Sequence, residues 1–303
     1  MSDASQPVKA PIEIFMASDS NYSPFLATAM ASILKNAAPD DALSFHIADG
    51  GMTDDDLQKI EELKKIKDFK LAFYRPDLQE YLKYLRDDIS NFPVIVNTRL
   101  FVEKFLPKTL DKVLYLDADI VVLGSLAELW ETDLDDNFVA AALDPKMRLS
   151  HRRAIGLPDD YGYFSSGIML INLKKWREDS VLEKLLDICL EIKDQIEFPD
   201  QDVLNVYAYR TSYLLLPNRW NCHPRDFVEG DTIILHYMGN RHRCPNLPVL
   251  YEYASMTPYG RLPMQGFWYR VRRAMRRGCF VFLCLFLPKK QWRKQLRKRF
   301  VLR

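Results

Sequence analysis

Three features of the sequence predict an α/β fold on a central, mixed but mostly parallel sheet, followed by a basic helical tail. Apolar segments of strand length at residues 12–17, 43–48 and 69–74 alternate with segments of helical character. The connections between them are helix-length, as right-handed crossovers between parallel strands require. Two later apolar strands, 112–116 and 232–235, run directly into carboxylates and an imidazole. Open α/β sheets bind ligands at such carboxyl ends.

The elements follow in order. Residues 12–17 read as a buried strand, 18–21 as a loop, and Pro24 opens a helix to about residue 36. After the strand at 43–48, Thr53 is an N-cap and Asp54, Asp55 and Asp56 form an acidic first turn for a helix to about residue 67. The strand at 69–74 gives way to an irregular stretch over 77–97 and a helix over 98–105. Further strands are expected at 112–116, 138–143, 167–173 and 233–237. Residues 173–196 read as mainly helix, with apolar positions at Val181, Leu182, Leu185, Leu186, Ile188 and Cys189.

The composition is that of a globular protein, with 48% hydrophobic and 27% charged residues among 303. The charge is unevenly spread. Residues 261–303 hold 14 of the 42 Lys/Arg and none of the 41 Asp/Glu, so the preceding 260 residues carry a net charge of −13. The expected organisation is a flexible N-terminus at 1–11, one domain at 12–260 and a basic amphipathic tail at 261–303. The five cysteines form no CxxC pair, which favours a reducing compartment. Residues 1–11 are polar and lack a secretory signal's apolar stretch. The longest apolar run, 279–287, is far short of the roughly 20 residues of a spanning helix.

The sharpest chemical feature is Leu116-Asp117-Ala118-Asp119. Side chains at i and i+2 of extended chain share a face, and two carboxylates that close repel unless a cation lies between them. Hard oxygens suit Mg²⁺ or Mn²⁺, which bridge to substrate phosphates. A capped turn with solvated acids is the simpler reading of the same residues. His236 ends the strand at 232–235, and an imidazole as third ligand favours Mn²⁺. Gly239 allows close backbone approach to a phosphate, and Arg241, His242 and Arg243 are placed to offset diphosphate charge. Asp200-Gln201-Asp202 after Pro199 reads either as a helix N-cap box or as a sugar-binding pair of amide and carboxylate.

Six segments, in order, resemble glycosyltransferase family 8, and in particular the bacterial lipopolysaccharide galactosyl- and glucosyltransferases. They are residues 16–22 (MASDSNY), 97–101 (NTRLF), 111–119 (DKVLYLDAD), 163–173 (YFSSGIMLINL), 200–205 (DQDVLN) and 236–239 (HYMG). The resemblance implies a nucleotide-sugar-binding fold of the GT-A type and a retaining transfer of glucose or galactose from UDP-glucose or UDP-galactose. It implies Mn²⁺, with Mg²⁺ as the alternative, on Asp117, Asp119 and His236. Ala17, Asp19, Asn21 and Tyr22 are expected to line the uracil and ribose pocket, and Arg99 to contact the donor sugar or its phosphate. Asp117, Ala118, Ser165, Ser166, Gly239, His242 and Arg243 complete the donor site. Asp144, Asp200 and Gln201 are the expected catalytic residues, with Gln201 under the anomeric carbon. Two departures stand out: Ser165 replaces a common asparagine, and His242 replaces the lysine that clamps the diphosphate.

The tail mixes aromatics with arginines over 267–277, and Trp292, Leu296 and Phe300 recur at helical spacing. This suits an anchor on an anionic membrane surface rather than a nucleic-acid arm. A glycan or lipid-linked saccharide acceptor and a location on the inner face of the cell membrane, in the cytoplasm, go with it. The alternatives from other classes are an inactive, membrane-tethered nucleotide-sugar binder and a self-glucosylating primer.

Overall fold

The computed structural model describes residues 10–75, 77, 84, 94–238 and 247–262. Among these, nine strands form two sheets. They are β1 (Ile12–Ser18), β2 (Leu43–Asp49), β3 (Lys70–Tyr74), β4 (Lys112–Leu116), β5 (Ile120–Val122), β6 (Val139–Leu143), β7 (Phe164–Asn172), β8 (Leu214–Leu216) and β9 (Ile234–His236). The helices are α1 (Ser23–Asn36), α2 (Asp54–Glu61), α3 (Val102–Phe105), α4 (Ala127–Glu131), α5 (Leu149–Ala154), α6 (Leu173–Glu178), α7 (Val181–Glu191), α8 (Pro199–Arg210) and α9 (Leu247–Ser255).

The main sheet runs β3-β2-β1-β4-β7-β6-β8. Its pairs are parallel except where β7 meets β4 and β6. The expected mixed, mostly parallel sheet is therefore present. Alternation along each strand feeds two cores. Ile12, Ile14 and Met16 of β1 face α1, while Phe15 joins Tyr115, Met169 and Trp176 on the opposite face. Each fully buried Leu or Phe contributes roughly 1.5–3 kcal/mol.

Local chemistry sets several boundaries. Pro24 sits in the first turn of α1. Thr53 and Asp56 form a reciprocal capping box on α2. The helix expected to residue 67 leaves the α form at Glu61 and continues as a 3-10 turn over Glu62–Lys65. The helix expected over 98–105 is a 3-10 segment, Val94–Phe101, before the short α3. The single helix expected over 173–196 is two, because Ser180 adopts φ +51° between α6 and α7. Strands β5 and β8, three residues each, are too short for a period to reveal.

The described residues through Leu262 form one compact unit. No helix among the described residues is long and apolar enough to cross a membrane. Most of the N-terminus at 1–11, the greater part of 77–97 and the tail from 263 onward lie outside the described residues.

Candidate active site

The carboxyl ends of β1, β4 and β6 meet the amino end of antiparallel β7 at one end of the central strands of the main sheet. The chain then supplies Ala17–Asp19, Asp117, Asp144 and Ser165–Gly167 to one place. A cavity of about 520 Å³ opens there, walled also by the start of α8 and by His236.

One end of the cavity gathers two carboxylates around one imidazole. Asp117 and Asp119 flank the turn from β4 into β5, and His236 closes β9. The pairing of β5 with β9 sets Ile120 opposite His236, and Tyr237 N donates to Asp119 O at 2.9 Å. A hydrogen-bonded ladder thus fixes the spacing. His236 Nε2 lies 3.6 Å from Asp117 Oδ2 and 3.4 Å from Asp119 Oδ1. Its Nδ1 lies 2.8 Å from Asn221 Oδ1, and the amide oxygen accepts, so Nε2 faces the acids. Burial disfavours the imidazolium, but hydrogen bonds and charge from both acids outweigh it and raise its pKa to about 9. A field that holds a proton so firmly also suits a divalent cation. Adjacent ligands about 2.1 Å from a hard cation are separated by roughly 3 Å, close to the spacing found. Space is kept by Gly167, since a Cβ there would lie 2.3 Å from His236 Cε1 and 2.7 Å from Asp117 Oδ2. Donor set, spacing and clearance fit a hard divalent ion.

The other end is already satisfied by the protein. Arg99, 5% exposed, donates to Asp117 Oδ1 at 2.8 Å and pairs with Asp200 Oδ2 at 3.2 Å. Tyr115 OH also donates to Asp117 Oδ1, at 2.8 Å, and its ring lies under the Arg99 guanidinium. Burial would lower the Arg99 pKa, but Asp117 and Asp200 hold it above the usual range. Ser166 Oγ donates to Asp200 Oδ2 at 2.6 Å, and Ser166 N donates to Gln201 Oε1 at 3.0 Å. Gln201 Nε2 in turn donates to Asp144 Oδ2 at 3.2 Å. The Gln201 amide is therefore held at both ends.

Asp200-Gln201-Asp202 divides between its two readings. Asp202, fully buried, accepts from Glu197 N and Phe198 N at 2.9 Å each and from Tyr163 OH at 2.6 Å, which anchors the start of α8. It also holds His151 Nε2 at 2.8 Å, and that hydrogen bond, against burial, raises the His151 pKa. Asp200 and Gln201 face the cavity.

The model of the family described as Glycosyl transferase family 8 matches residues 13–241. This chain belongs to glycosyltransferase family 8. It is 30% identical over 239 residues to a lipopolysaccharide 1,2-glucosyltransferase of Escherichia coli, covering 73% of this chain and 69% of that protein. It is 28% identical over 241 residues to a lipopolysaccharide 1,3-galactosyltransferase of Salmonella typhimurium, covering 73% and 69%. Its structure is similar to that of the galactosyltransferase LgtC in complex with donor and acceptor sugar analogs. The TM-score is 0.70 at 27% identity, over 86% of this chain and 100% of that one. The fold is the GT-A-like fold of family 8 transferases.

Of the residues the sequence picks out, Ala17, Asp19, Tyr22, Arg99, Asp117, Ala118, Asp119, Asp144, Ser165, Ser166, Asp200, Gln201 and His236 line this family 8 cavity. Asn21 is exposed and does not line it. Gly239, Arg241, His242 and Arg243 lie outside the described residues. Three contributors escaped the sequence reading. Tyr115 carries a signal, two positions before Asp117 on the same strand face. Gly167 stands within a quoted motif, yet only the His236 contact explains it. Asn221 has no local signal, since a tertiary bridge from Cys222 to β9 brings it to the imidazole.

Proposed function

We propose that this chain is a metal-dependent, retaining hexosyltransferase that moves glucose or galactose from a UDP-sugar to lipopolysaccharide or another lipid-linked saccharide. One observation carries the reading: a single cavity joins a converging Asp-Asp-His end to a hydrogen-bonded Asp144-Asp200-Gln201 end. Asp117, Asp119 and His236 would hold Mn²⁺ or Mg²⁺, which supplies charge stabilisation for the departing diphosphate. Asp19 and Tyr22 line the same cavity and are the residues to which this reading assigns the nucleoside.

Retention is supported by membership of family 8, and the residues of the sugar end bear on its route. Asp200 is tied by Arg99 and Ser166, and Gln201 is a weakly nucleophilic amide fixed on both sides. Neither favours a trapped glycosyl-carboxylate intermediate. Their polar atoms suit orienting sugar hydroxyls and stabilising positive charge that develops at the ring. The lipopolysaccharide acceptor is supported by the names of the two enterobacterial relatives. A membrane-surface location is supported by the basic, aromatic composition of residues 261–303.

The test is UDP release from UDP-glucose and UDP-galactose, with Mn²⁺ or with a chelator, in the presence of truncated lipopolysaccharides. One donor should turn over with Mn²⁺, and the Asp117→Asn/Asp119→Asn double variant should lose at least about 10³-fold. Undiminished turnover by that variant would overturn the reading.

A further inference from the structure

A second buried carboxylate, Asp56, is bonded to the loop that follows β1. Asp56, 6% exposed, accepts five hydrogen bonds, all from neutral donors. Thr53 N and Thr53 Oγ1 donate to its Oδ2 at 3.0 and 2.7 Å, as part of the α2 cap. Ser20 Oγ donates to the same oxygen at 2.5 Å. Ser23 Oγ donates to Oδ1 at 2.8 Å, and Tyr259 OH donates to Oδ1 at 2.7 Å. Burial disfavours the charged form of Asp56, but these hydroxyls hold its pKa well below the carboxylate range.

Three segments distant in sequence therefore share one carboxylate: the loop after β1, the start of α2 and the segment after α9. The loop is the one that presents Asp19 and Tyr22 to the cavity. It is also tied within itself, with Tyr22 N on Asp19 Oδ1 at 2.9 Å and Ser23 N on Asp19 O at 2.9 Å, and at its start, where Gly50 N donates to Ser18 O at 2.8 Å. Ser20, at its tip, reaches across to Asp56. Tyr259 is half-buried, outside the cavity, with Lys59 Nζ 4.8 Å from its ring centroid.

We propose that Tyr259 is a positioning residue for donor binding, acting through Asp56 on the loop at residues 18–22; this rests on the donor-site reading given above. The Tyr259 hydroxyl is one of two donors that fix Oδ1, and Ser20 and Thr53 fix Oδ2. Without it Ser23 alone holds Oδ1, and the carboxylate turns more readily toward Thr53, which keeps the α2 cap but loosens the loop. The arrangement competent to bind nucleotide is then populated less, and apparent affinity falls by that fraction. The chemistry at the far end of the cavity is untouched.

Tyr259→Phe isolates the effect, because Asp56→Asn would also break the α2 cap. UDP binding in Mn²⁺ is measured by calorimetry, and kcat and donor KM are measured alongside. The expected result is a donor KM and a UDP Kd raised about three- to tenfold at unchanged kcat. Ser20→Ala should raise KM similarly, and the double variant should raise it by less than the product of the two. A structural role alone predicts a lower Tm with unchanged KM, and that outcome overturns the proposal. UDP binding by the wild type with equal affinity in Tyr259→Phe overturns this inference alone. No UDP binding by the wild type overturns the donor-site reading and this inference with it.

Discussion

The two ends of the cavity hold carboxylates under opposite conditions. At one end, Asp200 is paired with Arg99 and hydrogen-bonded by Ser166, and Asp144 meets the Gln201 amide. At the other end, Asp117 Oδ2 and Asp119 Oδ1 face the single imidazole of His236. Asp117 belongs to both, since its Oδ1 is taken by Arg99 and Tyr115. Where protein donors already satisfy the acids, a neutral hydroxylated ligand fits. Where two carboxylates converge on one imidazole, a metal ion fits. Specific chemistry follows from how far each carboxylate is compensated, not from the presence of carboxylates.

The contrast can be broken most severely at Gly167. A methyl group in Gly167→Ala would displace His236 and Asp117, and small misplacements at a reacting centre cost about 10²-fold. Mn²⁺-dependent UDP release should fall by at least about that factor, with a raised Mn²⁺ requirement. A rate within a few-fold of wild type would show that the cation end tolerates crowding. The next effect separates the two ends. Gln201→Ala should lower kcat by roughly 10–10²-fold while half-saturating Mn²⁺ stays unchanged. If both move together, the ends are coupled through Ser166 and Arg99. The smallest expected change is at Asn221. Asn221→Leu removes the acceptor for His236 Nδ1, and half-saturating Mn²⁺ should rise about tenfold, with near-normal turnover once Mn²⁺ is saturating.

What the sequence discloses follows the range of the interactions involved. The strand ends that carry Asp117, Asp144 and His236 are legible because apolar runs and acids adjoin along the chain. The cap of α2 is legible for the same reason: Thr53 and Asp56 are three residues apart. Asp202 is harder, since cap and sugar-binding readings share one tripeptide, and only its contacts with Glu197, Phe198 and Tyr163 decide. The break at Ser180 is a left-handed residue without glycine, which periodicity does not register. Asn221 and Tyr259 are invisible because each acts across a tertiary contact.

The pairing of β5 with β9 has a consequence for synthesis. Two of the three candidate ion ligands are translated early and the third only after β9 emerges, so a nascent chain lacks a complete set until then. Cation capture would reward the finished fold selectively, adding stability by mass action to molecules whose final ladder has closed. The same ion that readies the enzyme for its substrate would thereby act as a fastener on its architecture.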